Sequence, residues 1–403
     1  MTVKHIETDS SSTFELVDTD DTWIVDKGVS IAAATGAGIF VGNAQDLALR
    51  VHGVVSALQN DGLSVAGIEV LSAGTDIRVG RHGDVSGVYG IWLNAADGHI
   101  DNSGTVRSRT SGMAVIASGQ DYLIENDGAM RGKTGEAIYA VTGGKVVNHQ
   151  GGVMSGERGI WINSTEDAVI VNKGRISSDG NAVICGEGDD RIVNHGRILG
   201  AIVTGDGADH IDLRRGSVTG AVSGGGGNDV YFIDKSNVEI WEDQGKGYDL
   251  IWTTASFQLD NGPYAEIEFL GARGRRDITL IGNQYGNTLA GNAGNNTLSG
   301  GAGKDSLYSG AGRDLMIGGA DGDSFVFRKG DGVDTVSDFG VQGADHDVVD
   351  LHFLTAFKDF DDVLAVAKDT AEGVLLKLGH GDRVLLDKVT VDELQADHFV
   401  YAP

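Results

Sequence analysis

The chain has 403 residues, including 63 Gly, 2 Pro and 1 Cys, and carries 31 basic against 58 acidic side chains for a formal net charge of −27. Gly is therefore about 16 % of the chain, against roughly 7 % in ordinary proteins. The charge disfavours nucleic acid and anionic membranes as partners. The lone Cys185 excludes a disulfide framework or a cysteine-ligated zinc site, and no apolar run reaches the ~18 residues of a transmembrane segment.

The first residues, MTVKHIETDSSSTFELVDTD, contain no apolar stretch of the kind a signal peptide needs. Residues 1–28 read as an N-terminal cap. From 29 to 235 the chain repeats itself. HIDNSG (99–104), LIENDG (123–128), KVVNHQG (145–151), AVIVNKG (168–174) and RIVNHG (191–196) vary one phrase, and YGIWLN, GMAVIA, EAIYAV, RGIWIN and NAVICG vary a second. The closing glycines Gly83, Gly104, Gly128, Gly151, Gly174, Gly196 and Gly216 recur with a period of about 22 residues, the range of a solenoid repeat. Each period holds two or three short strands rich in Val and Ile between Gly/Asn/Asp turns. Such a unit cannot bury its apolar face alone, whereas stacked coils share one core. Residues 29–235 are therefore expected to form a parallel β-helix of about eight or nine coils. Asn102, Asn126, Asn148, Asn172 and Asn194 fall at one place in successive coils and are expected to stack as an amide ladder. Trp92 and Trp161 occupy equivalent places and read as coil-face packing. Residues 236–281 read as a connecting β segment.

From Gly282 to Val326 the chain divides into five nonapeptides: GNQYGNTLA, GNAGNNTLS, GGAGKDSLY, SGAGRDLMI and GGADGDSFV. The pattern is G-G-x-G-x-D-x-U-x, with U a large apolar residue, a calcium-binding repeat. Glycines allow positive φ and turn carbonyl oxygens inward, and the sixth residue adds a carboxylate. Oxygen donors without thiol or imidazole select calcium over zinc or copper. Two nonapeptides make one coil, so each turn stacks on the next turn but one. Asp305 and Asp323 then share one edge with Asn287, and Asp314 shares the other with Asn296. The candidate ligands in this block (282–327) are Gly294, Asn296, Gly301, Gly303, Asp305, Gly310, Gly312, Asp314, Gly319 and Asp323. The same turn occurs once per coil earlier, at Gly186, Gly188 and Asp190, at Gly205, Gly207 and Asp209, and at Gly225, Gly227 and Asp229. Asn287 and Asn296 lack the carboxylate, so the first two nonapeptides are expected to bind weakly or to act as a cap. Asp321 stands in the place of the fourth-position glycine.

Residues 224–351 resemble the haemolysin-type calcium-binding repeats of the repeats-in-toxin (RTX) family, in the flanks GGGGNDVYFID, GKGYDLIWTTASFQL and FVFRKGDGVDTVSDFGVQGADHDVVDL as well as the nonapeptides. The resemblance implies that an Asp-rich exit segment closes the last calcium site, which here points to Asp331, Asp334 or Asp338. It also implies that residues 328–403 form a C-terminal cap that the type I export apparatus of Gram-negative bacteria reads as an uncleaved signal. Within it, DFDDVLAVAKD (359–369) reads as a helix with an Asp at its start, and GVLLKLGHGDRVLLDKV as a hairpin turning at Gly379–Gly381.

The expected fold is thus all-β, a parallel β-helix continuing into a calcium-binding parallel β-roll with a small β-rich cap. The expected function is a secreted, extracellular calcium-binding solenoid that folds on calcium and serves as a structural, adhesive or matrix module with a polysaccharide or cell-surface partner. Neither H-E-x-x-H nor G-x-S-x-G occurs. GAMRGKT (128–134) is one residue short of a phosphate loop and lies inside the coil repeat. His99, His149, His195 and His210 read as turn residues. The alternative is a polysaccharide lyase, hydrolase or epimerase on the β-helix face, by analogy of fold, with Asp121, Glu157, Glu166 and Asp167 as the available acids.

Overall fold

The computed structural model describes all residues except 1, 43, 59–64, 244, 263–265 and 344–345, so Ala344 and Asp345 of the flanking run 325–351 lie outside the described residues. The chain divides into two compact units, Met1–Gly227 and Asn228–Pro403.

In the first unit the strands recur in threes, each pairing in parallel with its counterpart one coil away. His99–Asn102, Tyr122–Asn126, Gly144–Asn148, Ala168–Asn172 and Arg191–Asn194 form one face. Thr105–Ser108, Ala129–Arg131 and Val153–Ser155 belong to the second, and Val115–Ala117, Ile138–Ala140 and Ile160–Ile162 to the third. At Arg175–Ile184 and Arg197–Asp206 the second and third strands run together as single long strands, with a register shift between Ser177 and Val183. The first coils begin inside residues 1–28, where Val3–Ile6 pairs with Thr22–Val25 and that strand with Ala48–Val51.

Register explains the β-branched composition. Ile100, Ile124, Val146, Ile170, Ile192 and Ile211 lie opposite one another in successive coils, and all are fully buried. Stiff branched side chains pack well on such a pleated surface. Each contributes about 1.5–3 kcal/mol on burial. Beside this stack the amides form the expected ladder. Asn102 Nδ2 donates to Asn126 Oδ1, Asn126 to Asn148, Asn148 to Asn172 and Asn172 to Asn194, each at 2.8 Å. All five asparagines are fully buried, so the ladder satisfies groups that would otherwise be costly. Trp161 lies against Tyr139, with ring centroids 5.0 Å apart, and under Arg158 on the outer coil face. Trp92 packs edge-on against Tyr89.

The second unit has two faces of parallel strands. One runs Val230–Ile233, Leu250–Thr253, Phe269–Ala272, Thr288–Ala290, Ser306–Tyr308, Ser324–Val326 and Val348–Asp350, and Phe399–Val400 closes it. The other runs Phe257–Gln258, Thr279–Ile281, Thr297–Ala302, Leu315–Ala320 and Val333–Val336. Successive nonapeptides alternate between these faces, as a β-roll requires. Leu289, Leu307 and Phe325 enter the core from one side and Leu298 and Met316 from the other, all fully buried. The C-terminal segment covers the open edges. Asp382–Asp387 adds in parallel to Val333–Val336, and Gly373–Gly379 pairs with it antiparallel across a turn at His380. Phe360–Val366 is helical, and the side chain of Asp359 caps it by accepting from Asp362 N. The short strand Ala367–Asp369, paired with Gly373–Gly379, then forms the outer edge of the sheet that this hairpin joins.

Candidate metal centre

Each glycine turn sits directly on its counterpart in the neighbouring coil. On one edge of the second unit these are the turns ending at Asn287, Asp305 and Asp323, and on the other those ending at Asn296, Asp314 and Asp334. Gly301, Gly303, Gly310, Gly312 and Gly319 have φ of 114°, 91°, 81°, 151° and 111°, a region that favours residues without a Cβ. A Cβ on Gly319 would stand 2.1 Å from Gly301 O, and one on Gly312 2.5 Å from Gly294 O. The missing side chains therefore leave carbonyl oxygens facing the next turn. Asp321, in a glycine position, also takes a left-handed φ of 74°, which Asp tolerates better than most residues. Its carboxylate reaches back to accept from Gly303 N at 3.1 Å.

The carboxylates form two ladders. Asn287 N donates to Asp305 Oδ1 (2.6 Å), Asp305 N to Asp323 Oδ1 (2.9 Å) and Asp323 N to Asp347 Oδ1 (2.9 Å). On the other edge Asn296 N donates to Asp314 Oδ1 (2.6 Å) and Asp314 N to Asp334 Oδ1 (3.0 Å). One oxygen of each Asp thus holds the coil above. The second oxygens, Oδ2 of Asp305, Asp314 and Asp323, are buried with no hydrogen-bond partner. Those of Asp305 and Asp323 point at Gly300 and Gly318, where a Cβ would come within 2.2 and 2.3 Å.

A buried anionic oxygen with nothing to donate to it is costly. Burial accordingly raises Asp305 and Asp323 to about 7, Asp314 to about 6 and Asp334 to about 8. A hard cation removes that cost, and the donor set of carboxylates and glycine carbonyls fits calcium. The asparagine turns meet the same problem without an ion. Asn296 turns Nδ2 inward, donating to Gly294 O (2.8 Å) and Asn292 Oδ1 (3.3 Å). Asn287 Oδ1 accepts from Asn283 N, while its Nδ2 donates to Ile267 O. Amide protons close these first turns.

The exit segment divides among three places. Asp334 ends one ladder. Asp338 accepts from Gly318 N and Gly319 N, both at 3.0 Å. Asp331 accepts from Arg328 N, and burial raises it to about 6. Asp382, from the C-terminal hairpin, clamps the last glycine turn by accepting from Gly330 N (2.8 Å) and Gly332 N (3.1 Å).

The earlier turns repeat the arrangement. In the first unit, Cβ atoms on Gly205 and Gly207 would meet Gly186 O and Gly188 O at 1.9 and 2.3 Å, and those on Gly225 and Gly227 would meet Gly205 O and Gly207 O at 2.3 and 1.9 Å. Ala168 N donates to Asp190 Oδ1 and Asp190 N to Asp209 Oδ1, both at 2.7 Å. Burial raises Asp190 to about 7. In the second unit Asp229 N donates to Asp249 Oδ1 (2.8 Å) and Asp249 N to Glu268 Oε2 (2.7 Å). Sequence reasoning missed Asp249, Glu268, Asp347 and Asp382. Asp249 follows Asp229 at the same one-coil interval that separates Asp209 from Asp229, a spacing that could have found it; Glu268 breaks the Asp pattern, Asp347 follows Asp323 at a longer interval, and Asp382 follows the Gly379–Gly381 turn of a hairpin instead of a coil turn.

Among the acids available for catalysis, Asp121, Glu166 and Asp167 line one hollow of about 540 Å³ with Lys145, and Glu157 lies outside it. Glu166 accepts from Gln120 Nε2 and Gly143 N, and Asp167 from Asp189 N. These carboxylates tie successive turns together.

A protein-family model described as RTX calcium-binding nonapeptide repeat (4 copies) matches residues 281–316. Among curated proteins nothing matches the chain. No helix among the described residues is long and apolar enough to cross a membrane. The chain thus carries RTX calcium-binding repeats within a parallel β-solenoid whose edges stack carboxylate and glycine-carbonyl cradles, and these repeats take several calcium ions.

Proposed function

We propose that the protein is exported and completes its folding on calcium outside the cell, where it acts as a non-catalytic structural or adhesive solenoid. The observation that carries this reading is the set of buried Oδ2 atoms at Asp305, Asp314 and Asp323, which lack partners on two otherwise complete hydrogen-bond ladders. Without cations these carboxylates repel one another, and the glycine turns carry a high ordering cost. The repeat block then favours the unfolded state, which suits passage through an export channel. Extracellular calcium modules bind with Kd of ~10⁻⁴–10⁻³ M, so calcium outside the cell can supply the missing stability through mass action. RTX repeats are typical of secreted proteins, and the C-terminal segment, by resemblance the export signal, folds here as the cap on the last coils.

A far-ultraviolet circular dichroism titration tests the folding step. After complete chelation, β signal is expected to return cooperatively at submillimolar to millimolar calcium, with magnesium ineffective. A spectrum indifferent to calcium would remove the mechanism. For export, residues 328–403 fused to a passenger are expected to carry it into the medium only when a type I apparatus is co-expressed. Passenger retained inside the cell would refute that part. We propose no reaction at the Asp121–Glu166–Asp167 hollow, because backbone and side-chain donors already hold the carboxylates of Glu166 and Asp167.

A further inference from the structure

The outer surface of one sheet in the second unit is unlike the rest of the solenoid. Register sets Phe232 opposite Trp252, Trp252 opposite Gly271, Gly271 opposite Ala290 and Ala290 opposite Tyr308. One outward column therefore reads aromatic, aromatic, small, small, aromatic across strands about 4.8 Å apart. Phe269 brings its ring to within 4.8 Å of Trp252. A Cβ on Gly271 would stand 2.5 Å from the Trp252 ring and 2.6 Å from that of Phe269, so this glycine lets both rings lie down on the sheet. Between them and Tyr308 is a groove of about 560 Å³ that passes over Ala290 and Gly291.

Cations flank this groove. The Arg273 guanidinium lies 4.6 Å from the Trp252 ring, and that of Arg328 lies 4.8 Å from Tyr308. Both arginines are exposed, and neither forms an ion pair among the described residues. Arg275, Arg276, Arg313 and Lys329, on the adjoining turns, are exposed as well. In a chain of net charge −27, this is a local excess of positive charge. One acid, Asp331, lines the groove itself and accepts from Arg328 N.

Flat rings offer a surface to the apolar C–H face of a sugar, and a guanidinium pairs with a carboxylate through two parallel hydrogen bonds. Single-stranded nucleic acid also stacks on aromatic rings, but it needs a positive track along its whole backbone. Outside this groove the chain is predominantly acidic. We propose that the groove binds an acidic oligosaccharide, with a uronate ring against Trp252 and Phe269 and its carboxylate at Arg273 or Arg328. This names a partner class for the adhesive role above and rests on that reading only in requiring the calcium-folded state.

The test is isothermal titration of the calcium-loaded protein with trigalacturonate, with neutral galactotriose and a short oligothymidylate as comparison ligands. Trigalacturonate is expected to bind and the other two to be at least tenfold weaker. Trp252→Ala and the double variant Arg273→Gln/Arg328→Gln are each expected to weaken binding roughly tenfold or more, the latter effect shrinking in high salt. Trp161→Ala, in the first unit, is expected to leave it unchanged. Should Trp252→Ala fail to fold, the exposed arginine pair carries the test. No binding of trigalacturonate, equal binding of galactotriose or oligothymidylate, or affinity unmoved by the groove variants would each overturn the proposal. Circular dichroism on the same samples separates the two readings. Calcium-dependent folding without saccharide binding refutes the groove alone, and binding without calcium-dependent folding refutes the folding mechanism alone.

Discussion

The contrast between Asn296 and Asp314, successive turns on one edge, supplies a clean perturbation. Asp314→Asn keeps an Oδ1 that can accept from Asn296 N, now at 2.6 Å. It replaces the buried Oδ2, which has no partner, with an NH₂ group able to donate to its own turn, as Asn296 Nδ2 does to Gly294 O at 2.8 Å. In the calcium-free protein an unsatisfied buried charge gives way to a hydrogen-bonded amide, a gain of about 1–3 kcal/mol. In the calcium-loaded protein one site is lost. With free calcium at ten times Kd, that site contributes about 1.4 kcal/mol. The substitution is therefore expected to raise the melting temperature in chelator, to lose about 1.4 kcal/mol of that advantage in ten-fold excess calcium, and to reduce calcium stoichiometry by one. Calorimetric melts in both buffers and an equilibrium calcium count measure all three. A variant that is less stable without calcium, or that binds as many ions as the parent, would refute the role given to Asp314 Oδ2.

Three further outcomes follow from the same geometry. Burial raises Asp305 and Asp323 to about 7 and Asp334 to about 8, above the ordinary carboxylate value near 4. Their stabilising contribution to the calcium-free fold is full below pH ~4 and lost as pH rises through 7–8. The chelated protein should then melt higher at pH 5 than at pH 8, and the calcium-loaded protein the reverse, because protons compete for the ligands; melts that share one pH trend in both buffers would contradict this. Gly319→Ala places a Cβ 2.1 Å from Gly301 O at a φ of 111° and is expected to abolish a calcium site. Gly330→Ala, at a φ of 96° with nothing within 4 Å, should cost only backbone strain of about 1–2 kcal/mol; equal losses in calcium titrations of the two variants would refute the carbonyl cradle. Asn148→Ala takes from Asn126 Nδ2 its good acceptor, leaving only Val153 O at 3.5 Å, and removes the amide donor to Asn172 Oδ1, and should cost about 2–4 kcal/mol in denaturant unfolding at any calcium concentration. A loss under about 1 kcal/mol, the net worth of one ordinary hydrogen bond, would show that the amide ladder contributes little.

Much of this architecture was legible in the residues because its parts recur at fixed intervals. Asn102 to Asn194 and Leu289 to Phe325 occupy equivalent places in successive coils, so an interval read along the chain becomes a contact between coils. Legibility failed where the interval drifted. Asp347 follows Asp323 at a longer interval than the one from Asp305 to Asp323, and Asp382 comes from a hairpin instead of a coil. Each is recognisable only by the backbone N–H that it accepts. The aromatic groove was illegible for a related reason. Trp252, Gly271, Ala290 and Tyr308 lie one coil apart with a different side chain at each step, and register alone aligns them. Asp121, Glu166 and Asp167 do converge, but only the hydrogen bonds of Glu166 and Asp167 show that these two hold turns together.

Hydrogen exchange followed by mass spectrometry, in chelator and in calcium, tests the central claim most directly, because it reports which turns need an ion. Calcium is expected to add protection to residues 301–347 and to the turns at 186–190 and 205–209. Strands 99–172, held by isoleucine stacking and the amide ladder, should be protected in both states. Equal protection of residues 301–347 with and without calcium would contradict the account.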